Sequence, residues 1–175
     1  LNIEEFIRDV PDFPKPGIVF KDITPLLANI EALRQTVRLL ADPYRNSGAD
    51  IVTGVESRGF IFGALLADEL DAGFVPIRKP GKLPAETICE SYQLEYGTDT
   101  IEIHADAISP GQKVLMADDL IATGGTIEAA CKLVAKLGGD IVAAVFLVEL
   151  SFLSGRAKLD ALGVRTHSLI QVSGE

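Results

Sequence analysis

Apolar residues recur along this chain with two distinct periods. Between Ile30 and Leu40 they fall at Ile30, Leu33, Val37 and Leu40, with Arg34 and Arg38 set away from them. That spacing predicts an amphipathic helix. Ile51–Val55 and Phe74–Ile77 are short apolar runs that predict strands, and Phe60–Leu70 between them predicts a helix. Val114–Ala117 predicts a buried strand. Beyond it, Ile127, Ala130, Cys131, Val134 and Leu137 share one helical stripe, and Gly138-Gly139 supplies its stop. Ile141–Val148 is apolar without a break, as a parallel strand buried on both faces requires. A last strand is expected around Thr166–Val172, within a tail from Arg156 to Glu175. Strands alternating with helices in this way predict βαβ units and a parallel sheet.

Three stretches depart from the alternation. Ile3–Val10 predicts a short N-terminal helix, followed by an extended loop at Pro11, Pro14 and Pro16. Arg78–Glu90 holds Pro80, Gly81 and Pro84 and shows neither period; it is expected to be a long mobile loop, often a functional feature. Tyr92–Tyr96 and Thr100–His104 alternate apolar and polar positions around Gly97-Thr98-Asp99, which predicts an antiparallel hairpin.

Charge and cysteine content narrow the function classes. The 175 residues carry 16 basic and 25 acidic side chains, a net charge of −9. Nonspecific nucleic-acid binding needs a basic surface and is not expected. Against that acidic background Arg78, Lys79 and Lys82 cluster within five residues and read as an anion-binding edge. Cys89 and Cys131 match no metal or redox spacing, and Cys131 sits on the core stripe. Unpaired thiols suit a reducing, cytoplasmic compartment. No apolar stretch approaches a membrane span, and the first residues lack the basic and apolar regions of a signal peptide. No membrane association is expected.

The densest chemistry follows the Val114–Ala117 run. Asp118 and Asp119 stand at its end. The loop Ala122, Thr123, Gly124, Gly125, Thr126 then opens the striped helix. A helix N-terminus presents unpaired N–H donors and a favourable dipole to an anion. Adjacent carboxylates accept hydrogen bonds from vicinal hydroxyls. Together the two features suit a ribose 5-phosphate. Neither a phosphate-loop lysine motif nor a dinucleotide Gly-x-Gly-x-x-Gly fingerprint is present.

The acid pair and its Thr-Gly-Gly-Thr loop resemble the phosphoribosyl-pyrophosphate signature of the type I phosphoribosyltransferases. Further segments resemble the adenine-specific members of that family: Asp12–Pro25, Glu56–Phe60, Arg78–Pro84, Ser91–Gly97 and Val148–Leu150. They occur in family order over nearly the whole chain. The resemblance implies an α/β fold, a twisted, mainly parallel sheet flanked by helices, with a small hood and a mobile β-hairpin loop. It implies one domain over 1–175, with a hood from about 1–30 and 149–175 and a core over 31–148. Lys21 departs from the arginine of many relatives, and Glu56 from the aspartate of some.

The implied reaction joins adenine to phosphoribosyl pyrophosphate, giving AMP and pyrophosphate. By the same resemblance, Ala122–Thr126 bind the 5-phosphate, and Asp118 and Asp119 hold the ribose hydroxyls. Glu56, Ser57, Arg58, Lys79 and Lys82 meet the pyrophosphate, with Mg²⁺ held mainly through the substrate. A cis peptide is implied between Glu56 and Ser57. Val19, Phe20, Lys21 and Leu150 contact adenine, Glu95 is the general acid or base, and Tyr96 seals the closed loop. A homodimer is implied too. Two other readings share the fold: a purine or pyrophosphate sensor, and a sister transferase for a 6-oxopurine, a pyrimidine or orotate. The acidic balance and the intact Glu95, Arg58 and lysines favour the enzyme. Val19, Phe20 and Glu149-Leu150 favour adenine.

Overall fold

A computed structural model describes residues 1–94 and 96–174. The chain divides into two compact units, Leu1–Leu39 and Leu40–Glu175.

The first unit begins with a 3-10 turn at Ile3–Phe6, capped by Asn2, whose side chain accepts from the Glu4 N–H. The expected helix stops there. β1 (Arg8–Pro11) instead pairs antiparallel with β2 (Val19–Asp22). The four-residue ladder takes up the backbone groups of both strands, and cross-strand ion pairs flank it. Arg8 Nη2 lies 2.7 Å from Asp22 Oδ2, and Lys21 Nζ lies 2.6 Å from Asp9 Oδ1. Pro11 closes a two-stranded edge, where a missing N–H is tolerated. The proline-rich residues 12–18 form the turn, with Asp12 Oδ1 accepting from the Gly17 N–H at 2.9 Å. α1 (Thr24–Ala28) follows, then α2 (Ile30–Ala41). Asn29 Oδ1 accepts from the N–H groups of Glu31 and Ala32 at 3.1 and 3.0 Å, capping two otherwise unpaired donors of α2.

The second unit contains, in chain order, β3 (Ile51–Val55), α3 (Arg58–Glu69), β4 (Gly73–Ile77), β5 (Thr87–Gln93), β6 (Thr98–His104), β7 (Lys113–Ile121), α4 (Gly125–Lys136), β8 (Asp140–Leu150), α5 (Gly155–Ala161) and β9 (Thr166–Val172). Five of these strands form one parallel sheet in the order β4-β3-β7-β8-β9, and β5 and β6 form a separate hairpin. Val114, Met116, Ala144 and Phe146 join Ala130 and Val134 of α4 and Ile101 and Ile103 of the hairpin in one buried cluster. The alternate residues Leu115, Ala117, Val145 and Leu147 are buried as well, as a strand covered on both faces requires. The stripe read on α4 is the face it buries.

Three boundaries move relative to the sequence reading, the first being that the strand expected over Tyr92–Tyr96 ends at Gln93. β7 does not end before the acids but runs through them to Ile121. β8 explains this, because it continues to pair Asp118 with Phe146 and Ile121 with Glu149. The loop expected over Arg78–Glu90 is shorter. Arg78 forms a two-way backbone bridge with Glu102, at 3.0 and 2.7 Å, and β5 begins at Thr87. The short helix α5 carried no clear period and was not expected.

Candidate active site

The sheet order reverses between β3 and β7. From β3 the chain moves outward to β4; from β7 it moves the other way, to β8 and β9. A crevice outside the C-terminal ends of such strands is where open α/β sheets bind ligands. The loops after β3 and β7 carry Glu56–Arg58 and Ala122–Gly124 to that edge.

Asp119 is buried, at 4% exposure, and Asp118 is partly buried. Asp118 Oδ1 accepts from the Asp119 N–H at 2.9 Å. Arg58 Nε lies 2.9 Å from Asp119 Oδ2, an ion pair whose oxygen has no aligned hydrogen bond. Burial, and then the charge of Asp119, push the Asp118 carboxyl well above the usual carboxylate range. A hydroxyl that donates to this pair relieves both demands. Gly59, at the start of α3, allows the approach. A Cβ there would sit 2.8 Å from Asp118 Oδ1.

Behind the acids a small cavity of about 130 Å³ is lined by Asp118 and residues 120–127. The loop enters α4 through Gly124, which is left-handed with φ 81°. The first helical hydrogen bond runs from the Glu128 N–H to the Gly124 carbonyl at 3.0 Å. Gly125, Thr126 and Ile127 therefore stand at the N-terminal end of α4, where N–H groups lack helical acceptors. The structure thus brings Asp118, Asp119, Arg58 and the Ala122–Thr126 loop to one place.

The cationic edge is organised by acids. The Glu56–Ser57 peptide is cis, as the resemblance implied. Glu56 Oε1 accepts from Arg78 Nε at 3.1 Å and from the Lys79 N–H at 2.7 Å. Its carboxylate is thus turned to these groups. Lys79 Nζ is ion-paired with Asp99 on β6, which also accepts from the Tyr92 hydroxyl at 3.1 Å. Those contacts hold Asp99 below its usual carboxylate range, chiefly through the bond from Lys79. Lys82 and Tyr96 are exposed. Glu95 lies outside the described residues.

Val19, Phe20 and Lys21 lie on β2 of the first unit, where Phe20 meets Phe13 edge to face at 5.2 Å. Leu150 ends β8 in the second unit. The sequence marks Gly59 only as part of the Glu56–Phe60 segment and does not single out Asp99 at all, because its partner Lys79 lies far along the chain.

Among the described residues no group of three or more His, Cys, Asp or Glu side chains could hold a metal ion. Asp118 and Asp119 nevertheless supply hard oxygen donors. Such a pair suits Mg²⁺, which takes one or two carboxylates and completes its shell with substrate phosphates and water. No helix among the described residues is long and apolar enough to cross a membrane.

Comparison with known proteins places the chain in a family. The phosphoribosyl transferase domain family matches residues 23–172. The adenine phosphoribosyltransferase of Aeromonas salmonicida (strain A449) is 53% identical over 173 residues, covering 99% of this chain and 96% of that protein. The crystal structure of the Rhodothermus marinus adenine phosphoribosyltransferase superposes with a TM-score of 0.92 at 56% identity, covering 97% of this chain and 96% of that one. The Trypanosoma brucei enzyme, solved in complex with AMP, pyrophosphate and ribose-5-phosphate, superposes with a TM-score of 0.88 at 27% identity, covering 97% and 77%. The chain belongs to the adenine phosphoribosyltransferases, within the type I phosphoribosyltransferase family.

Proposed function

We propose that the Asp118–Thr126 segment grips the phosphoribosyl group from both ends, its acids on the hydroxyls and its loop on the 5-phosphate. The reaction is the transfer of that group from phosphoribosyl pyrophosphate to adenine, giving AMP and pyrophosphate. The bond from C1′ to pyrophosphate breaks, the bond from C1′ to the purine nitrogen forms, and that nitrogen loses its proton. As the first bond weakens, positive charge grows on the ribose and negative charge on pyrophosphate.

Each change meets a group of this chain. Asp118 and Asp119 stabilise the growing positive charge on the ribose that they orient. Arg58, Lys79 and Lys82, with the Glu56-Ser57 backbone, stabilise the leaving pyrophosphate. The planar fork of Arg58 suits two phosphate oxygens. Lys79 leaves Asp99 to do so. Mg²⁺ would be held mainly through substrate oxygens, with Asp118 and Asp119 as the hard donors nearest it, and would supply further neutralisation of the leaving group.

On the base, Phe20 stacks against the purine, and the backbones of Val19 and Lys21 read its polar edge. Fixed N–H and C=O groups matched to a 6-amino purine are left unpaired by a 6-oxo one, which supports discrimination. Glu95 moves the proton, and Tyr96 helps to exclude water as the hairpin closes. The family likeness supports a homodimer, and the unpaired thiols Cys89 and Cys131 support a cytoplasmic setting.

One observation supports the reading of the sugar site: Asp118 and the glycine loop line a single cavity, and Asp118 accepts from the N–H of its neighbour Asp119. The test is the double variant Asp118→Asn with Asp119→Asn, assayed with Mg²⁺, phosphoribosyl pyrophosphate and adenine. Turnover should vanish while the folded circular-dichroism spectrum persists. Near-wild-type turnover in a folded double variant rejects the clamp.

A further inference from the structure

A second ion pair, its carboxylate buried and its guanidinium half-buried, lies beside the phosphate loop, and the chemistry above does not use it. Glu149, the penultimate residue of β8, is 4% exposed. Arg156, the second residue of α5, meets both of its oxygens, with Nε 2.9 Å from Oε1 and Nη2 on Oε2. Arg156 Nη1 also donates to the Thr166 carbonyl at 2.9 Å, and Ser168 Oγ donates to Glu149 Oε2 at 2.7 Å. Every one of these partners is fixed in a strand or helix. A buried ion pair adds little net stability over a well-packed apolar pair, but a forked, fully bonded one fixes direction.

What it directs is Gly155, the residue before Arg156. Gly155 packs on the backbone of the phosphate loop so closely that a Cβ would sit 2.4 Å from the Ala122 carbonyl oxygen and 3.0 Å from the Gly124 nitrogen. From the other side, a Cβ on Gly124 would sit 2.8 Å from the Gly155 carbonyl oxygen. The same network reaches the loop by a second route. Glu149 is the register partner of Ile121, the last strand residue before the loop.

We propose that the Glu149–Arg156 pair, braced by Ser168 and the Thr166 carbonyl, is a positioning device for the phosphate loop. It pins Gly155 against Ala122 and Gly124, and so sets the left-handed turn that aims the loop's N–H groups. In this role Arg156 and Glu149 act through Gly155 rather than on the substrate itself. The inference rests on the reading that Ala122–Thr126 take the 5-phosphate.

The test measures ribose 5-phosphate affinity by calorimetry, KM for each substrate, and thermal melting. Arg156→Met should weaken ribose 5-phosphate and raise KM for phosphoribosyl pyrophosphate about tenfold, the size of one lost charge-assisted bond, while KM for adenine stays within about twofold. Arg156→Lys should recover part of the loss, since the charge returns without the fork. If Arg156→Met does not fold, Ser168→Ala and Gly155→Ala carry the test, with the same selectivity between substrates. A folded Arg156→Met or Ser168→Ala that melts earlier yet keeps its ribose 5-phosphate affinity overturns the proposal. So does an equal rise in both KM values. Thr126→Val separates the two levels. If it leaves ribose 5-phosphate binding unchanged, the phosphate reading fails; if it weakens binding while Arg156→Met does not, only the positioning role fails.

Discussion

Replacing Gly124 by alanine perturbs the phosphate loop twice. Its φ is 81°, and a side chain in the left-handed region costs about 1–2 kcal/mol. The added Cβ would also stand 2.8 Å from the Gly155 oxygen and 3.0 Å from the Gly155 Cα, whereas ordinary van der Waals contact begins at 3.4 Å. Both neighbours are backbone atoms and cannot rotate aside, so the loop or α5 must shift. A loop geometry disfavoured by about 1–2 kcal/mol binds its phosphate roughly five- to thirtyfold more weakly. The overlap adds to that, so KM for phosphoribosyl pyrophosphate should rise at least about tenfold. KM for adenine should change by less than about twofold. Gly111→Ala is the control. Its φ of 86° is equally left-handed, but nothing lies within 4 Å of the added Cβ. It should lose about 1–2 kcal/mol in urea unfolding with both KM values intact. Steady-state kinetics with each substrate varied reads both variants. A folded Gly124→Ala enzyme with a wild-type KM for phosphoribosyl pyrophosphate would refute the claim that this backbone turn cradles the phosphate.

Three further outcomes are expected. Glu95→Ala should lower kcat far more than it changes either KM; a pure rise in KM would remove its chemical role. Acid sensitivity should divide by site. The Glu149 carboxyl is held below its usual range, first by the bond from Arg156, so its contribution is full above the ordinary glutamate value near 4.5 and is lost as pH falls through its lowered value. Asp118 has the opposite sign: its raised carboxyl costs stability as pH rises, so Asp118→Asn should melt higher than the parent at neutral pH. Melting curves against pH check both, and a neutral-pH loss in Asp118→Asn contradicts the second. Finally, Cys131 is buried and its thiol is pushed up to about 12, first by burial, while Cys89 is exposed. A thiol reagent should label Cys89 alone in the native protein and both after unfolding. Rapid native labelling of Cys131 would contradict its place in the core.

Patterns with a local cause were legible in the sequence. The stripe from Ile127 to Leu137 and the unbroken run of β8 specify burial by themselves, and the acid pair with its glycine loop pointed to the segment that lines a cavity at the sheet edge. Other features depend on partners far along the chain. Ile3, Ile7 and Val10 suit a helical period, but Arg8–Pro11 find a backbone ladder on β2, a partner no local pattern reveals. β7 outlasts its apolar run because β8 continues beside it. Arg78 leaves the expected loop because Glu102 offers it a bridge. The contact of Gly124 with Gly155 is the extreme case: two glycines, each ordinary in its own stretch, are fixed by one close approach.

The most direct test of the whole account is a crystal structure of the enzyme with AMP bound. The account expects the phosphate oxygens within hydrogen-bonding distance of the N–H groups of Thr123–Thr126, and both ribose hydroxyls on Asp118 and Asp119. A nucleotide seated elsewhere, with that cradle empty and the acids bonded only to Arg58, would contradict it.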